Sequence, residues 1–334
     1  MKKVLFAVIV SLICLSCVFA NAASEQSKQD LVKIRIAHHK GLAGAGVAVI
    51  GTRMGYFAEE GLDVELVPFT AGPPEVAAMV SGDLQFGYIG SGATNLAANG
   101  EVEIIYFNNL GDAEVIVVNK NSGIKSVAEL KGKTLATTLG TSAENIVNFA
   151  LQRAGLTMND VNIINMDQSG CVTAMLSGKV DAVCVYSTFR ATVETELGEN
   201  CVRLAKTSDF SDITASIGSW LTTQEYIDNH GDIVQHFANA LAKCMDYWKA
   251  NQEQVAVWVA ELLEAEESTI KAQIGTFSLM NASELKAALS DGSLKAMYAA
   301  QHNGMLVNGK LEKDVALEEY IHWDIMENAV KSAK

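Results

Sequence analysis

Three short segments carry residue types that can hold an anion without a fixed positive charge. In IGSGATNL, Ser91 and Gly92 follow a buried-looking apolar run; in TLGTSAENIV, Thr141 and Ser142 open a helix-forming run. In VDAVCVYSTF, Tyr186 and Ser187 end another apolar run. Hydroxyls and unpaired backbone N–H groups at a helix start bind anions, helped by the helix dipole. The same patterns also have purely structural readings. Ser91 suits an N-cap, Thr141 with Glu144 fits a T-x-x-E capping box, and the Tyr186 ring suits packing as well as a pocket wall.

Glu114, in GDAEVIVV, directly precedes a strongly apolar run. A buried carboxylate there is costly without a partner, so Glu114 is either a solvent-exposed strand start or the partner of a cationic group. His38 and His39 are adjacent, and adjacent strand residues point to opposite faces, so the two do not serve one metal ion. The loop HHKGLAGAG lacks the third glycine of the dinucleotide fingerprint, where Val49 stands, and no GK[ST] follows. It reads either as a flexible strand-to-helix connection or as a backbone wall of a cleft, the first reading being the stronger. No HExxH, GxSxG or DxDxDG pattern and no pair of CxxC motifs occurs. No catalytic residue, metal ligand or cofactor site is therefore expected.

These segments depend on strands and helices to place them. Lys33–Ala37 alternates as a strand, and Val47, Ile50, Met54 and Phe57 fall at helical spacing until Gly61. Asp63–Val67 is a second strand. TAGPPE starts a helix with proline near its first position, and Leu84–Ile89 is a third strand. This β-α-β-α-β order predicts a parallel sheet with short connections. Val115–Val118 begins further alternation, with strands at Thr134–Thr137, Val161–Asn165 and Val180–Val185 and helices over TSAENIVNFALQRAGL and SGCVTAMLSG. The phrase MVSGDLQFGYIGSG (Met79–Gly92) recurs as MLSGKVDAVCVYST (Met175–Thr188), with Ser91 aligned to Ser187. The second half thus repeats the plan of the first, and from Asp228 onward the chain reads as almost continuously helical.

The predicted fold class is α/β with two lobes, each a parallel-rich sheet flanked by helices and joined by two crossings. Lobe 1 is placed at residues 30–117 plus 216–334 and lobe 2 at 118–215, with the return near SIGSWLTT. Ligands in open α/β sheets bind outside the carboxyl ends of the strands, and two facing sheets make a cleft that closes by hinge bending.

Lys2 and Lys3, an apolar run from Val4 to about Ala20 and an A-x-A site at Ala20–Ala22 predict a signal peptide over residues 1–22. A lipoprotein signal ending at Cys17 competes less well, because Cys14 stands where an aliphatic residue is wanted. No later segment offers the roughly 18 uninterrupted apolar residues of a membrane helix. The formal charge of −14 becomes −16 once Lys2 and Lys3 leave, which argues against nucleic acid and anionic membranes as partners. A mature chain of about 310 residues exceeds the usual single core. Cys171, Cys184, Cys201 and Cys244 remain. Cys244 reads as a buried thiol; Cys184–Cys201 and Cys171–Cys184 bridges stand as alternatives to free thiols.

The stretch GYFAEEGLDVELVPFTAGPPEVAAMVSGDLQFGYIGSG, followed by SVAELKGKTLAT and VDAVCVYSTF, is similar to the periplasmic substrate-binding proteins of ABC importers for taurine, alkyl sulfonates, nitrate and thiamine precursors. The resemblance covers essentially the whole mature chain. It implies a type II binding-protein fold of "Venus flytrap" form, and the taurine and sulfonate branch resembles this sequence most. That branch carries Gly-Ser-Ser after the lobe 1 strand; Gly90 and Ser91 match and Gly92 departs. Glu114 matches the branch's glutamate, and Thr141 and Ser142 match its hydroxyl residues while Ala143 departs. Tyr186 stands where the branch has Trp, and Trp220 matches an aromatic at the return crossing. Gly218-Ser219 replaces an aspartate expected just before it.

The resemblance implies a site of His39, Gly41, Ser91, Gly92, Glu114, Thr141, Ser142, Tyr186, Ser187 and Trp220. The ligand implied is a small organic anion, most readily a sulfonate such as taurine. The implied partners are an ABC permease and its ATPase subunit, the implied location periplasmic or cell-surface, and the implied state a monomer. Nitrate, bicarbonate or a thiamine precursor are the alternative ligands. A thiamine-pyrimidine synthase-like enzyme is the alternative class, and it needs a cysteine cluster that does not survive leader cleavage. A sensor ectodomain would need a downstream membrane helix.

Overall fold

In a computed structural model, residues 31–311 and 313–332 are described; the segment predicted as a signal peptide, with Cys17, lies outside the described residues. Strand β1 (Val32–His39) is followed by helix α1 (Leu42–Arg53), the single turn α2 (Tyr56–Glu59), strand β2 (Leu62–Phe69), helix α3 (Gly72–Val80) and strand β3 (Gly87–Ile89). Pro73 and Pro74 occupy the first turn of α3, where a missing N–H breaks no helical bond. α1 is built from small residues because it is buried on almost every side. A Cβ at Gly46 would stand 2.3 Å from the Trp248 ring.

The short helix α4 (Thr94–Ala98) and strand β4 (Glu103–Gly111) complete this first region. Next come β5 (Val115–Asn119), β6 (Thr134–Thr137), α5 (Ser142–Arg153), β7 (Asn162–Asn165), α6 (Gln168–Leu176), β8 (Ala182–Val185), α7 (Ser187–Leu197) and β9 (Cys201–Lys206). Strand β10 (Ile217–Thr222) leads into α8 (Gln224–Ala250), α9 (Gln252–Leu263), α10 (Glu267–Lys271), β11 (Phe277–Ser278), α11 (Ala282–Ser290), α12 (Ser293–Val307) and α13 (Trp323–Ser332). The helical tail expected from Asp228 is present, interrupted by the short β11. α8 bends at His230, whose φ/ψ is non-helical.

Two main sheets result. The first has the order β11-β4-β10-β3, and its pairs are antiparallel. The β1-β2 pair adjoins it through a parallel bridge from Ile36 to Phe86. The second has the order β7-β6-β8-β5-β9. There β6 runs parallel to β7 and β8, while β5 runs antiparallel to β8 and β9. The parallel run expected from the β-α-β alternation is thus found in β6, β7 and β8. β5 and β10, which enter directly from the other sheet, pair antiparallel with their neighbours, so the second sheet is mixed and the first antiparallel.

β4 ends at Gly111 in the first sheet and β5 pairs from Val115 in the second. The chain therefore passes between the sheets at Asp112–Glu114, ahead of the boundary placed at residue 117. It returns between β9 and β10. One core fills the first lobe, where Phe86 stacks on Phe237 at 4.0 Å between centroids. Two further cores cover the two faces of the second sheet.

All four described cysteines are free thiols. Cys184 belongs to the core on one face of the second sheet and Cys171 to the core on the other, so the sheet separates them. Cys244 is buried in α8, as its helical stripe predicts, and burial raises its thiol pKa well out of the reactive range. Among the described residues no helix is long and apolar enough to cross a membrane.

Candidate functional site

The strand ends and helix starts of both lobes converge on one cavity of about 200 Å³. The first residues of α1, α3, α5, α6 and α7, or the residues just before them, line it: Gly41, Ala71, Thr141, Asp167 and Tyr186. At α1, α3, α5 and α7 the capping residue makes no side-chain hydrogen bond to the helix. At α1 the Leu42 N–H is taken by Gln273 Oε1 at 2.9 Å. At α6 the Asp167 carboxylate accepts from the Gly170 N–H at 2.6 Å. The starts of α5 and α7 keep N–H donors and the positive ends of their dipoles available to the cavity, whereas α3 brings its dipole but no N–H from Pro73 or Pro74.

The capping box expected at α5 is not formed. The Thr141 hydroxyl donates to the Thr138 carbonyl at 2.7 Å, and Glu144 accepts from the Gly140 N–H at 2.9 Å and from Lys310 at 2.5 Å. The tight turn over Thr138–Thr141 places the hydroxyl nearer to that carbonyl than to the helix donors. With the Thr141 oxygen held at the turn, out of reach of the helix donors, the first N–H groups of α5 are left without a side-chain acceptor.

Ser91 is not an N-cap. Gly90 holds that position, and Ser91 is the first residue of a 3-10 turn, Ser91–Ala93. Its hydroxyl pairs with that of Ser216 at 3.0 Å. Gly92 is required by a close approach between the lobes: a Cβ there would lie 1.9 Å from both the Ser142 nitrogen and the Thr141 carbonyl carbon. Across the cavity, a Cβ at Gly41 would lie 3.0 Å from Ser187 Cβ. Ser187 has φ 51°, in the left-handed region that non-glycine residues rarely adopt. The two serines aligned by the internal repeat therefore stand on opposite lobes of one cavity.

Charge is sparse in the wall. Glu114 is buried, and its carboxyl accepts from the Thr207 hydroxyl, which in turn accepts from the Glu114 N–H at 3.3 Å. Burial, and then the nearby Glu114, push the Tyr88 and Tyr186 hydroxyls far above their ordinary range, so both stay neutral donors. Tyr88 donates to Asn109 Oδ1 at 3.1 Å and meets the His39 ring edge-on, 5.5 Å between centroids. Behind His39 lies Glu75, fully buried and hydrogen-bonded to His39 Nε2. Burial raises the Glu75 carboxyl above the usual range, against the opposing pull of His39. Among the lining residues Lys40 is the one lysine and there is no arginine. Among the described residues no His/Cys/Asp/Glu group could hold a metal ion.

His39, Gly41, Ser91, Gly92, Glu114, Thr141, Ser142, Tyr186 and Ser187 all line this cavity. Trp220 does not. It sits in the middle of β10, paired with both Tyr88 and Tyr106. Its indole donates to Asn108 at 3.0 Å and its ring lies 6.0 Å from that of Tyr88. By this point β10 has run down from Gly218 at the cavity edge into the sheet, so Trp220 supports Tyr88 from below.

Tyr88, Asn109, Gln273 and Glu75 escaped the sequence reading. Tyr88 sits in the repeated phrase and was open to detection as a strand-end aromatic. Gln273 had no local signal, since its partner Leu42 is 231 residues away. Glu75 reads locally as an ordinary first-turn acid, and only Gly87 hints at it: a Cβ there would stand 2.3 Å from Glu75 Oε1.

Residues 46–255 match the model of the family described as NMT1/THI5 like. A Brucella abortus (strain 2308) protein designated a binding protein, with no ligand in its name, is 28% identical over 291 residues, covering 87% of this chain and 90% of its own. A Bacillus subtilis (strain 168) protein designated an aliphatic sulfonates-binding protein is 26% identical, covering 96% of each chain. The alkanesulfonate-binding protein of Xanthomonas axonopodis pv. citri, solved with MOPS, has the same fold: TM-score 0.66 at 20% identity, over 87% of this chain and 98% of that one.

Proposed function

Because the chain belongs to the NMT1/THI5-like family, we propose that it is an extracytoplasmic solute receptor that binds a small organic monoanion, a sulfonate above all, and delivers it to an ABC permease. The observation that carries this reading is the convergence of helix starts from both lobes on a cavity with no arginine and one exposed lysine. Preorganised neutral donors hold a desolvated anion well, because hydrogen bonds to a charged partner are the strong ones. The anionic head is assigned to the space between Ser91, the backbone of Gly92 and the start of α5 at Thr141-Ser142. A sulfonate offers three acceptor oxygens and one negative charge, which suits donors that themselves carry none.

Glu114 refines the ligand. A buried carboxyl bonded to one hydroxyl disfavours a second negative charge and favours a ligand ammonium. An aminoalkanesulfonate of the taurine type meets both demands, with its short carbon chain between Tyr88 and Tyr186. The departure at Gly218-Ser219 removes one acid from the ammonium end and leaves Glu114 as its main partner. Lobe 1 is assigned to residues 33–114 with 216–332 and lobe 2 to 115–215, the mature chain acting as a monomer. Ligand stabilises the closed form only by binding it better than the open one. The predicted leader supports a periplasmic or cell-surface location.

The test is a thermal-shift panel on the mature chain with taurine, alkyl sulfonates, nitrate, sulfate and thiamine precursors. A ligand at a hundredfold excess over its Kd adds about 2.7 kcal/mol of stability. A panel in which no sulfonate shifts the transition overturns the reading.

A further inference from the structure

A second, much smaller pocket lies behind the anion seat. Its volume is about 10 Å³, room for one water molecule. Ser91, Ser142 and Ser216 line both it and the main cavity, so a row of three serines separates the two. Its far wall comes from both lobes: Asn145 on α5 and Gln301 on α12. Two acceptors there are orphaned. Asn145 Oδ1 and Gln301 Oε1 are buried and have no hydrogen-bond partner, although the residues are only 9% and 2% exposed. The Gln301 amide nitrogen is already committed to Thr94 at 3.2 Å and to the Ile217 carbonyl at 3.0 Å, so turning that amide over would only move the deficit.

The local hydroxyls do not fill the gap. Thr207 donates to Glu114, and Thr214 donates to the Ala215 carbonyl at 3.3 Å. An unpaired buried carbonyl is costly, and the two residues that carry these line one water-sized space from opposite lobes.

We propose that this pocket holds a single water molecule that donates one proton to Asn145 Oδ1 and one to Gln301 Oε1, bridging the lobes directly behind the anion seat. Both protons are then used, so the water turns its lone pairs to the serine row and accepts from it. This fixes the direction of hydroxyls that also border the ligand. The bridge exists only when the lobes meet, and it belongs to the closing equilibrium of the receptor proposed above. It rests on that reading for its effect on ligand binding, but not for its geometry.

Two substitutions separate the bridge from ordinary packing. Asn145→Leu removes the acceptor and leaves Gln301 orphaned in the closed form, so taurine affinity falls about tenfold and the melting temperature of the closed protein drops. Asn145→Gln is one methylene longer and carries its own N–H donor into the pocket, so it displaces the water and keeps most of the affinity and stability. A high-resolution crystal structure of the mature chain, grown with taurine, is expected to show water density within hydrogen-bond distance of both carbonyl oxygens, and none there in Asn145→Gln. A dry pocket in closed molecules, or an oxygen shell at cation distances of about 2.4 Å, overturns the proposal, as do equal effects of the two variants on melting temperature. If taurine fails to bind but the water is seen and the variants differ in melting temperature, the sulfonate reading falls and the bridge stands.

Discussion

Replacing Gly92 with alanine probes the place where the two lobes meet. The added Cβ falls 1.9 Å from the Ser142 nitrogen and the Thr141 carbonyl carbon, whereas ordinary contact begins at 3.4 Å, so the start of α5 must retreat by the difference, about 1.5 Å. The obstacle is backbone on both sides, so no side chain can swing away. Gly92 does not have positive φ, and alanine fits its own backbone; in a form with the lobes apart the substitution is neutral or stabilising by about 0.5 kcal/mol. The whole penalty therefore falls on the closed form. A donor at about 2.9 Å from a bound anion that moves by 1.5 Å no longer makes a hydrogen bond. Each hydrogen bond to a charged group is worth about 1.5–3 kcal/mol, and loss of two from the Thr141-Ser142 side weakens binding by about 10²–10⁴-fold. The assay is calorimetric titration of taurine, with small-angle scattering to report lobe separation. Gly92→Ala that binds with wild-type affinity refutes the assignment of the anion to this seat, provided wild type binds.

Glu114→Gln removes the acid assigned to the ligand ammonium: taurine affinity is expected to fall about tenfold or more, while sulfate, disfavoured by the native carboxyl, gains measurable binding in the same titration. Trp220→Phe loses the indole bond to Asn108, at about 1 kcal/mol of stability in urea unfolding, and leaves ligand specificity unchanged; a change of ligand preference would return Trp220 to the cavity wall. Glu75 makes a pH prediction. Its carboxyl is raised above 4.5 in the folded state, so its contribution to stability is complete below that pH and is lost as pH rises toward its folded value. Glu75→Gln is therefore expected to flatten the fall in unfolding midpoint on the alkaline side of 4.5, and an unchanged pH profile would show that Glu75 does not titrate there.

Much of the scaffold was legible because its signals are local. The apolar runs that became β3, β6 and β8, and the small or hydroxyl residues just after them, announced strand ends that open helices. The repeated phrase correctly paired Ser91 with Ser187 as equivalent positions in two lobes. Trp220 was misplaced because its match to a family aromatic says nothing about depth: β10 carries the residue from the cavity rim into the sheet within two positions. The antiparallel pairings were equally hidden, since strand direction at the crossings depends on which distant strand each one meets.

The chain's local chemistry by itself determined that small donors and glycines would stand at strand ends in both halves, since periodicity and helix-start preferences act over a few residues. Tertiary structure alone decided what those groups do. It gave Glu114 the hydroxyl of Thr207, 93 positions away, set His39 on the buried Glu75, and pressed Gly92 against Ser142. A hydrogen-bond partner or a forbidden Cβ is a property of distance in space, and these distances exist only once the chain has folded and, for Gly92, once both lobes have met.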